Sequence, residues 1–334
     1  MIKEILKERI LKHYIYYVAE IGTDIQKAIG ILENGGLVGI PTETVYGLSA
    51  NAFNPLDVIK IFEAKERPTF DPLIVHTFQL EQVTNFVSEI HPKLLNLAKA
   101  FWPGPLTLLL PKKDIIPSIV TSGLDRVGVR IPNHPLTLEL LSQLKFPLAA
   151  PSANPFGYIS PTSAMHVQKQ LGDKISYILD GGDCQVGLES TIVGEEHGEI
   201  FIYRLGGLSI SDIELVVGKA VVQLNQSSNP KAPGQLKSHY APKKPFYIGN
   251  LSDLQSQFHS KKIGALVFGI PSNINENVFV KNLSPTNNMQ EAAINLFSFL
   301  RALDDSDVDV IICELLPEIG LGLSINDRLR RAAY

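Results

Sequence analysis

Short apolar runs alternate with stretches of helical spacing along most of the chain. "LVGIP" follows the turn-forming "ENGG" and reads as a buried strand. "PLIV", "LTLLLP", "VGVRIP", "FPLAAP", "YILD", "STIVG" and "EIFIYRL" read as further strands. Between them, "PLDVIKIFEAKER" places Val58, Ile59 and Phe62 on one helical face, and "HPKLLNLAKAFW" carries proline in a first turn. "SPTSAMHVQKQLG" opens on a Thr162 or Ser163 cap and closes on Gly172. Strands outnumber helices too far for a regular doubly wound repeat. The first two-thirds therefore predicts an α/β domain with a twisted mixed sheet and helices.

The pattern breaks near residue 225. "NQSSNPKAPGQLKSHYAPKKP" has no sustained period and reads as a linker. From Leu215 to Ser252 there are five lysines and no Asp or Glu, which makes this a cationic segment on an acidic protein. Composition alone fits a solubilising tether. Beyond it, "PFYIG" is a strand, "SDLQSQFHSKK" a helix capped by Ser252, and "IGALVFGI" a buried strand. Ala293, Leu296, Phe297, Leu300 and Leu303 recur at helical spacing, "VDVIICELL" is a strand, and "SINDRLRRAAY" a last helix. That alternation predicts a smaller, mostly parallel, Rossmann-like doubly wound α/β domain. The expected organisation is an extension over 1–20, the larger domain over 21–222, a linker over 223–245 and the C-terminal domain over 246–334.

Composition narrows the class. With 334 residues, 45% hydrophobic and 19% charged, the chain can bury a sizeable core and is not disordered. The net charge of −4 argues against wholesale nucleic-acid coating but allows a local basic patch. No uncharged apolar run reaches the roughly 18 residues a membrane span needs. "MIKEILKERILKHYIYYV" is charged among its apolar positions, so no signal peptide is expected. Cys184 and Cys313 lie far apart without metal-binding spacing, which points to a reducing, cytoplasmic setting.

Several catalytic schemes are missing from the sequence: there is no P-loop, no H-E-x-x-H and no G-x-S-x-G elbow. "GLGLS" at 320–324 lacks the third glycine and the acidic partner of a dinucleotide turn and reads as a tight packing turn. In "DRVGVRIP", strand alternation puts Arg126, Gly128 and Arg130 on one face and the valines on the core face. A buried arginine there needs an anion, either a ligand or an internal carboxylate. "KERPTFDPLIVH" sets Lys65 and Arg67 at a helix end and His76 at the end of the next strand; a solvated helix terminus is the plain alternative. "APSANP" makes a stiff turn with exposed donors. Many donors and cations with no evident nucleophile fit a phosphorylated, carboxylate-bearing ligand better than a covalent mechanism.

"PTETVYGL", "KERPTFDPLIVH", "FWPGPLTLLL", "VGVRIPNHP", "APSAN", "DGG" and "GLESTIV" occur in the order found in the YrdC-type threonylcarbamoyl-AMP synthases. Lys65-x-Arg67 and Ser152-x-Asn154 match that family's paired signature. "APGQLKSHYAP" and "GLGLSINDRLRRAA" resemble the linker and C-terminal domain of its long, two-domain form, so the likeness covers about residues 20 to 334. The resemblance implies a nucleotidyltransferase reaction in which L-threonine, bicarbonate or CO2, and ATP give L-threonylcarbamoyl-adenylate and diphosphate. A downstream tRNA threonylcarbamoyl transferase would use the product to modify the adenosine beside the anticodon. Magnesium would arrive bound mainly through ATP, with no protein metal site. Domains resembling this one can present a concave basic surface to double-stranded RNA, so weak RNA binding is a further expectation; no membrane partner is expected.

The likeness also assigns residues. Lys65, Arg67, Ser152 and Asn154 match the catalytic signature. Thr44, His76, Arg130, Ser152 and Ser190 match threonine-binding positions, with the Arg130 fork suited to the carboxylate. Arg67, Asp71, Arg126, Ala150, Ser160, Arg204 and Lys237 match the ATP side, together with Lys65 and Asn154. Some relatives carry threonine at the Arg126 position, and many carry methionine and an aromatic where this chain has Gln235 and Lys237. Asp71 stands where asparagine is usual; a carboxylate there would repel a triphosphate unless a cation pairs with it. The linker, with His239 and Tyr240, is expected to act as a gate over the ligands.

Overall fold

A computed structural model describes residues 18–223, 240–271 and 274–333. Two sheets organise them. The larger has eleven strands: β1 (Glu20–Gly22), β2 (Val38–Ile40), β3 (Gly47–Asn51), β4 (Ile74–His76), β5 (Leu106–Pro111), β6 (Arg126–Arg130), β7 (Leu148–Ala149), β8 (Tyr177–Leu179), β9 (Thr191–Glu196), β10 (Glu199–Arg204) and β11 (Ala220–Val222). They lie in the order β1-β8-β2-β3-β7-β4-β6-β5-β9-β10-β11 with parallel and antiparallel pairs mixed. The expected mixed sheet is therefore found. At its centre β4 and β6 run parallel, in a register that sets His76 opposite Arg130.

The second sheet holds β12 (Phe246–Ile248), β13 (Ile263–Val267), β14 (Phe279–Asn282) and β15 (Val310–Cys313), ordered β12-β15-β13-β14 and parallel throughout. Its long helix Met289–Asp304 buries Ala293, Leu296, Phe297, Leu300 and Leu303, the face read from their spacing. The "GLGLS" turn opens the helix Gly322–Ala332, where a Cβ on Gly322 would sit 2.0 Å from the Pro317 carbonyl oxygen, so it packs tightly as expected.

Local differences have physical reasons. Helix Pro55–Lys65 turns Val58, Ile61, Phe62 and Lys65 inward; Val58 and Phe62 are buried as expected, but Ile59 is 37% exposed and Ile61 takes its place in the buried stripe. Ser252 does not cap its helix. Asn250 does, accepting from the Ser252 and Asp253 amides. β3 escapes pattern reading because Gly, Ser, Ala and Asn lack the branched side chains that mark strands.

The two sheets meet through a shared apolar cluster. Val45, Ile159 and Leu188, from separate loops of the larger sheet, pack with Tyr240, Phe246, Leu296, Phe297 and Ile325. Gly187, at φ +73°, lies against the long helix, and a Cβ there would come within 2.4 Å of the Ala293 carbonyl oxygen. No helix among the described residues is long and apolar enough to cross a membrane.

Candidate active site

The loops that end on Val45, Ile159 and Leu188 also border a buried cavity. Beside it runs the helix Pro55–Lys65, capped by Asn54 and closed by Glu66 in the left-handed region at φ 53°. That single residue turns the chain so that Lys65 and Arg67, 1% and 8% exposed, both face inward. Lys65 Nζ donates to the carbonyls of Ser152 and Asn154, and the Phe156 amide donates back to the Lys65 carbonyl at 2.8 Å. Burial, and then the Arg67 charge, push the Lys65 ammonium well below the usual lysine range. Lys65 thus ties the helix to the 152–156 turn and does not line the cavity.

Arg67 does line it. Nε donates to the Asp71 carbonyl at 3.1 Å, Nη2 to the Pro72 carbonyl at 2.9 Å, and Nη2 lies 2.8 Å from Asp71 Oδ2. The Asp71 carboxylate, which would otherwise repel a triphosphate, is paired with the neighbouring guanidinium.

Thr44, His76, Arg130, Ser152 and Ser190 line the same cavity. Arg130 is 4% exposed, with Nε donating to the Gly104 carbonyl at 3.2 Å and Nη2 2.7 Å from Glu43 Oε2. Glu43 Oε2 also accepts from the Asn133 amide at 3.0 Å. Both answers to a buried arginine are therefore met at one residue: an internal carboxylate holds it, and it faces a cavity. Burial and the neighbouring Arg130 charge depress the His76 imidazole to about 3, so the ring is neutral, with Nδ1 3.2 Å from the Ile74 carbonyl oxygen. Thr44 Oγ1 lies 2.8 Å from Thr42 Oγ1, and Ser190 Oγ 2.7 Å from Thr107 Oγ1.

Ala150 and Arg204 also line it, with Tyr240 and Glu189. Arg204 donates from Nε and Nη2 to the Ser190 carbonyl at 3.0 and 2.9 Å, and from Nη2 to Ser190 Oγ at 3.0 Å; burial pulls it down to about 10. Other expected residues stand behind the wall. Asn154 Nδ2 donates to the carbonyls of Pro155 and Tyr158 at 2.9 and 2.8 Å, and Ser160 Oγ to Glu189 Oε1 at 2.5 Å.

Arg126 is not brought to the site. Four residues before Arg130 on β6, roughly 13 Å away along a strand, it pairs with Glu196 at 2.9 Å and lies over the Tyr203 ring. Strand parity gave both arginines one face but not one position along it. Lys237 and His239 lie outside the described residues, as does most of the expected gate.

Glu43 and Glu189 were not read from the sequence as site residues, though both stand inside quoted motifs, "PTETVYGL" and "GLESTIV". Neither motif carries a cation beside its glutamate, so no local signal marked them. Among the described residues, no group of His, Cys, Asp and Glu side chains has the arrangement of a metal site.

Residues 30–206 match the Sua5/YciO/YrdC family, described as "Telomere recombination", and residues 208–334 match the "Threonylcarbamoyl-AMP synthase, C-terminal domain". A threonylcarbamoyl-AMP synthase of Pyrococcus abyssi is 42% identical over 92% of this chain and 94% of its own length. One of Bacillus subtilis is 39% identical over 92% of each chain. The crystal structure of P. abyssi Sua5 complexed with L-threonine superposes with a TM-score of 0.87 at 38% identity, covering 95% of this chain and 97% of that one.

Proposed function

The chain belongs to the Sua5/YrdC family of threonylcarbamoyl-AMP synthases, and from that premise we propose that it joins L-threonine, bicarbonate or CO2 and ATP into L-threonylcarbamoyl-adenylate and diphosphate. The observation that carries this reading is the pairing of Arg130 with His76 across β4 and β6, facing a cavity that Arg67 and Arg204 also line. Arg130 and His76 suit an amino acid, and Arg67 and Arg204 a polyphosphate.

The threonine carboxylate meets the Arg130 guanidinium, which Glu43 and the Gly104 carbonyl hold in one orientation. His76 contributes a polar ring without adding a second positive charge. With Nδ1 donating to the Ile74 carbonyl, Nε2 is left as an acceptor. Thr44, Ser152 and Ser190 offer hydroxyl partners for the threonine side chain. The deprotonated amine attacks CO2 to give a carbamate, whose oxygen attacks the α-phosphorus of MgATP as diphosphate leaves. Magnesium enters as part of that substrate. The reactants bring their own nucleophile, so the residues' work is alignment and stabilisation of charge on the phosphoryl group by Arg67 and Arg204. The mixed anhydride then passes to the transferase that modifies tRNA.

The test is diphosphate release from MgATP and bicarbonate with each amino acid in turn. Threonine should support the highest turnover. Serine, which keeps the hydroxyl and loses a methyl worth about 0.8 kcal/mol, should follow. Valine should fall at least about a hundredfold below threonine, because it leaves the hydroxyl partners unpaired. Equal turnover of valine and threonine contradicts the reading.

A further inference from the structure

We propose that Arg328, near the end of the chain, is a positioning residue for the ATP side of the cavity: it neutralises Glu189, so that this carboxylate neither opposes the triphosphate nor draws Arg204 off the Ser190 loop. The inference rests on the function proposed above and adds to it a role for the C-terminal helix.

Glu189 lines the cavity and is 6% exposed. A carboxylate in that place is a paradox, since the cavity is meant to receive several negative charges. Arg328, on the helix Gly322–Ala332 and 1% exposed, reaches it from behind. Its Nε and Nη2 donate to Glu189 Oε2 at 3.1 and 3.0 Å. Nη1 is held by the Leu205 carbonyl at 2.6 Å and by Asp327 at 3.0 Å, and the Tyr240 ring centroid lies 5.4 Å from the guanidinium. Two donors on one carboxylate oxygen leave Oε1 for Ser160, which donates to it at 2.5 Å. Burial raises the Glu189 pKa, but Arg328 and then Arg204 outweigh it and keep the group ionised.

Arg204 is the next cation within reach of that charge. It is committed to the Ser190 carbonyl and hydroxyl. Removing Arg328 would leave a buried carboxylate without its main partner, a situation far costlier than the pair itself. Arg204 would be the group to answer it, at the expense of Ser190, and ligand phosphates would face the remaining negative charge. If Arg328 were only a fastener between the two sheets, its loss would affect both ligands alike, and removing the Glu189 charge as well would restore nothing.

The experiment titrates the full-length protein with magnesium and a non-hydrolysable ATP analogue, and separately with threonine, in wild type, Arg328→Gln, Arg328→Lys and the double variant Arg328→Gln/Glu189→Gln. Glutamine at 189 keeps an oxygen for Ser160 while losing the charge. Arg328→Gln should weaken the analogue at least about tenfold and threonine by a clearly smaller factor, that of the loosened Ser190 hydroxyl. Arg328→Lys should retain most of the affinity, and the double variant should recover most of what Arg328→Gln loses. Unchanged analogue binding in Arg328→Gln, or a double variant no better than the single one, overturns the proposal. Should Arg328→Gln not melt cooperatively, the double variant decides. Folded, with analogue affinity within about threefold of wild type, it upholds the role; unfolded, or weaker by about tenfold, it overturns it. Wild type that binds neither the analogue nor threonine would instead bring down the functional reading on which the proposal stands.

Discussion

His76 is a buried imidazole opposite an arginine, and both circumstances keep it neutral. Its titration gives the fold an acid limit. In the unfolded chain the ring takes a proton near 6.5, but in the folded protein only near 3. Between those values the unfolded state binds more protons, so stability holds above about pH 6.5 and falls as pH drops, by about 1.4 kcal/mol per pH unit. His166, pushed down to about 4 by burial and the nearby Arg301, adds a similar slope over a narrower window. Urea unfolding at pH 7, 6 and 5 should show His76→Gln flattening the acid limb by about one proton's worth of slope; an unaltered slope contradicts the burial argument. At this scale the sequence was legible where chemistry met periodicity. Arg130 could be found because alternation put a cation in an apolar strand. Glu43 and Glu189 could not be placed from the sequence, because their partners, Arg130 and Arg328, lie 87 and 139 residues away.

The helix Pro55–Lys65 illustrates what an element decides. Its cap, its proline and its apolar turns were legible, and so was its stop before Pro68. The use made of its last lysine was not. Its end was read as cationic and placed for phosphate, but the left-handed Glu66 separates the two cations. Arg67 reaches the cavity and Lys65 binds carbonyls. Replacing Lys65 with Met leaves the Asn154 carbonyl without its donor and the Ser152 carbonyl with only the Asn154 amide, at about 1–3 kcal/mol for the orphaned group. Lys65→Met should therefore lower the unfolding free energy by about 1–3 kcal/mol in chemical denaturation. Loss of nucleotide affinity with unaltered stability would return Lys65 to a direct phosphate contact. β3 shows the opposite limit: its residues have little strand preference, and it exists because β2 and β7 supply partners on either side.

In the whole molecule the second sheet is part of the site's construction. Val45, Ile159 and Leu188 are single apolar residues in loops, and no local pattern announces that they share a core with residues about fifty positions or more downstream. The architecture of each sheet was legible because strands and helices carry their own periods. The docking was not, because it rests on shape, as at Gly187, and on buried pairs such as Arg328 with Glu189. This packing gathers Arg67 and Arg204, assigned above to the phosphates, and Arg130 with His76, assigned to threonine, around one cavity. The most direct test of that division of labour is to supply threonine, carbon-13 bicarbonate and MgATP to wild type and to Arg67→Ala, and to detect the adenylate by mass. Wild type should yield a labelled threonylcarbamoyl-adenylate only when all three substrates are present, and folded Arg67→Ala should yield at least about tenfold less, the loss of a charge-assisted phosphate contact of about 1.5–3 kcal/mol. No labelled adenylate from wild type, or near-normal yield from folded Arg67→Ala, would contradict the account.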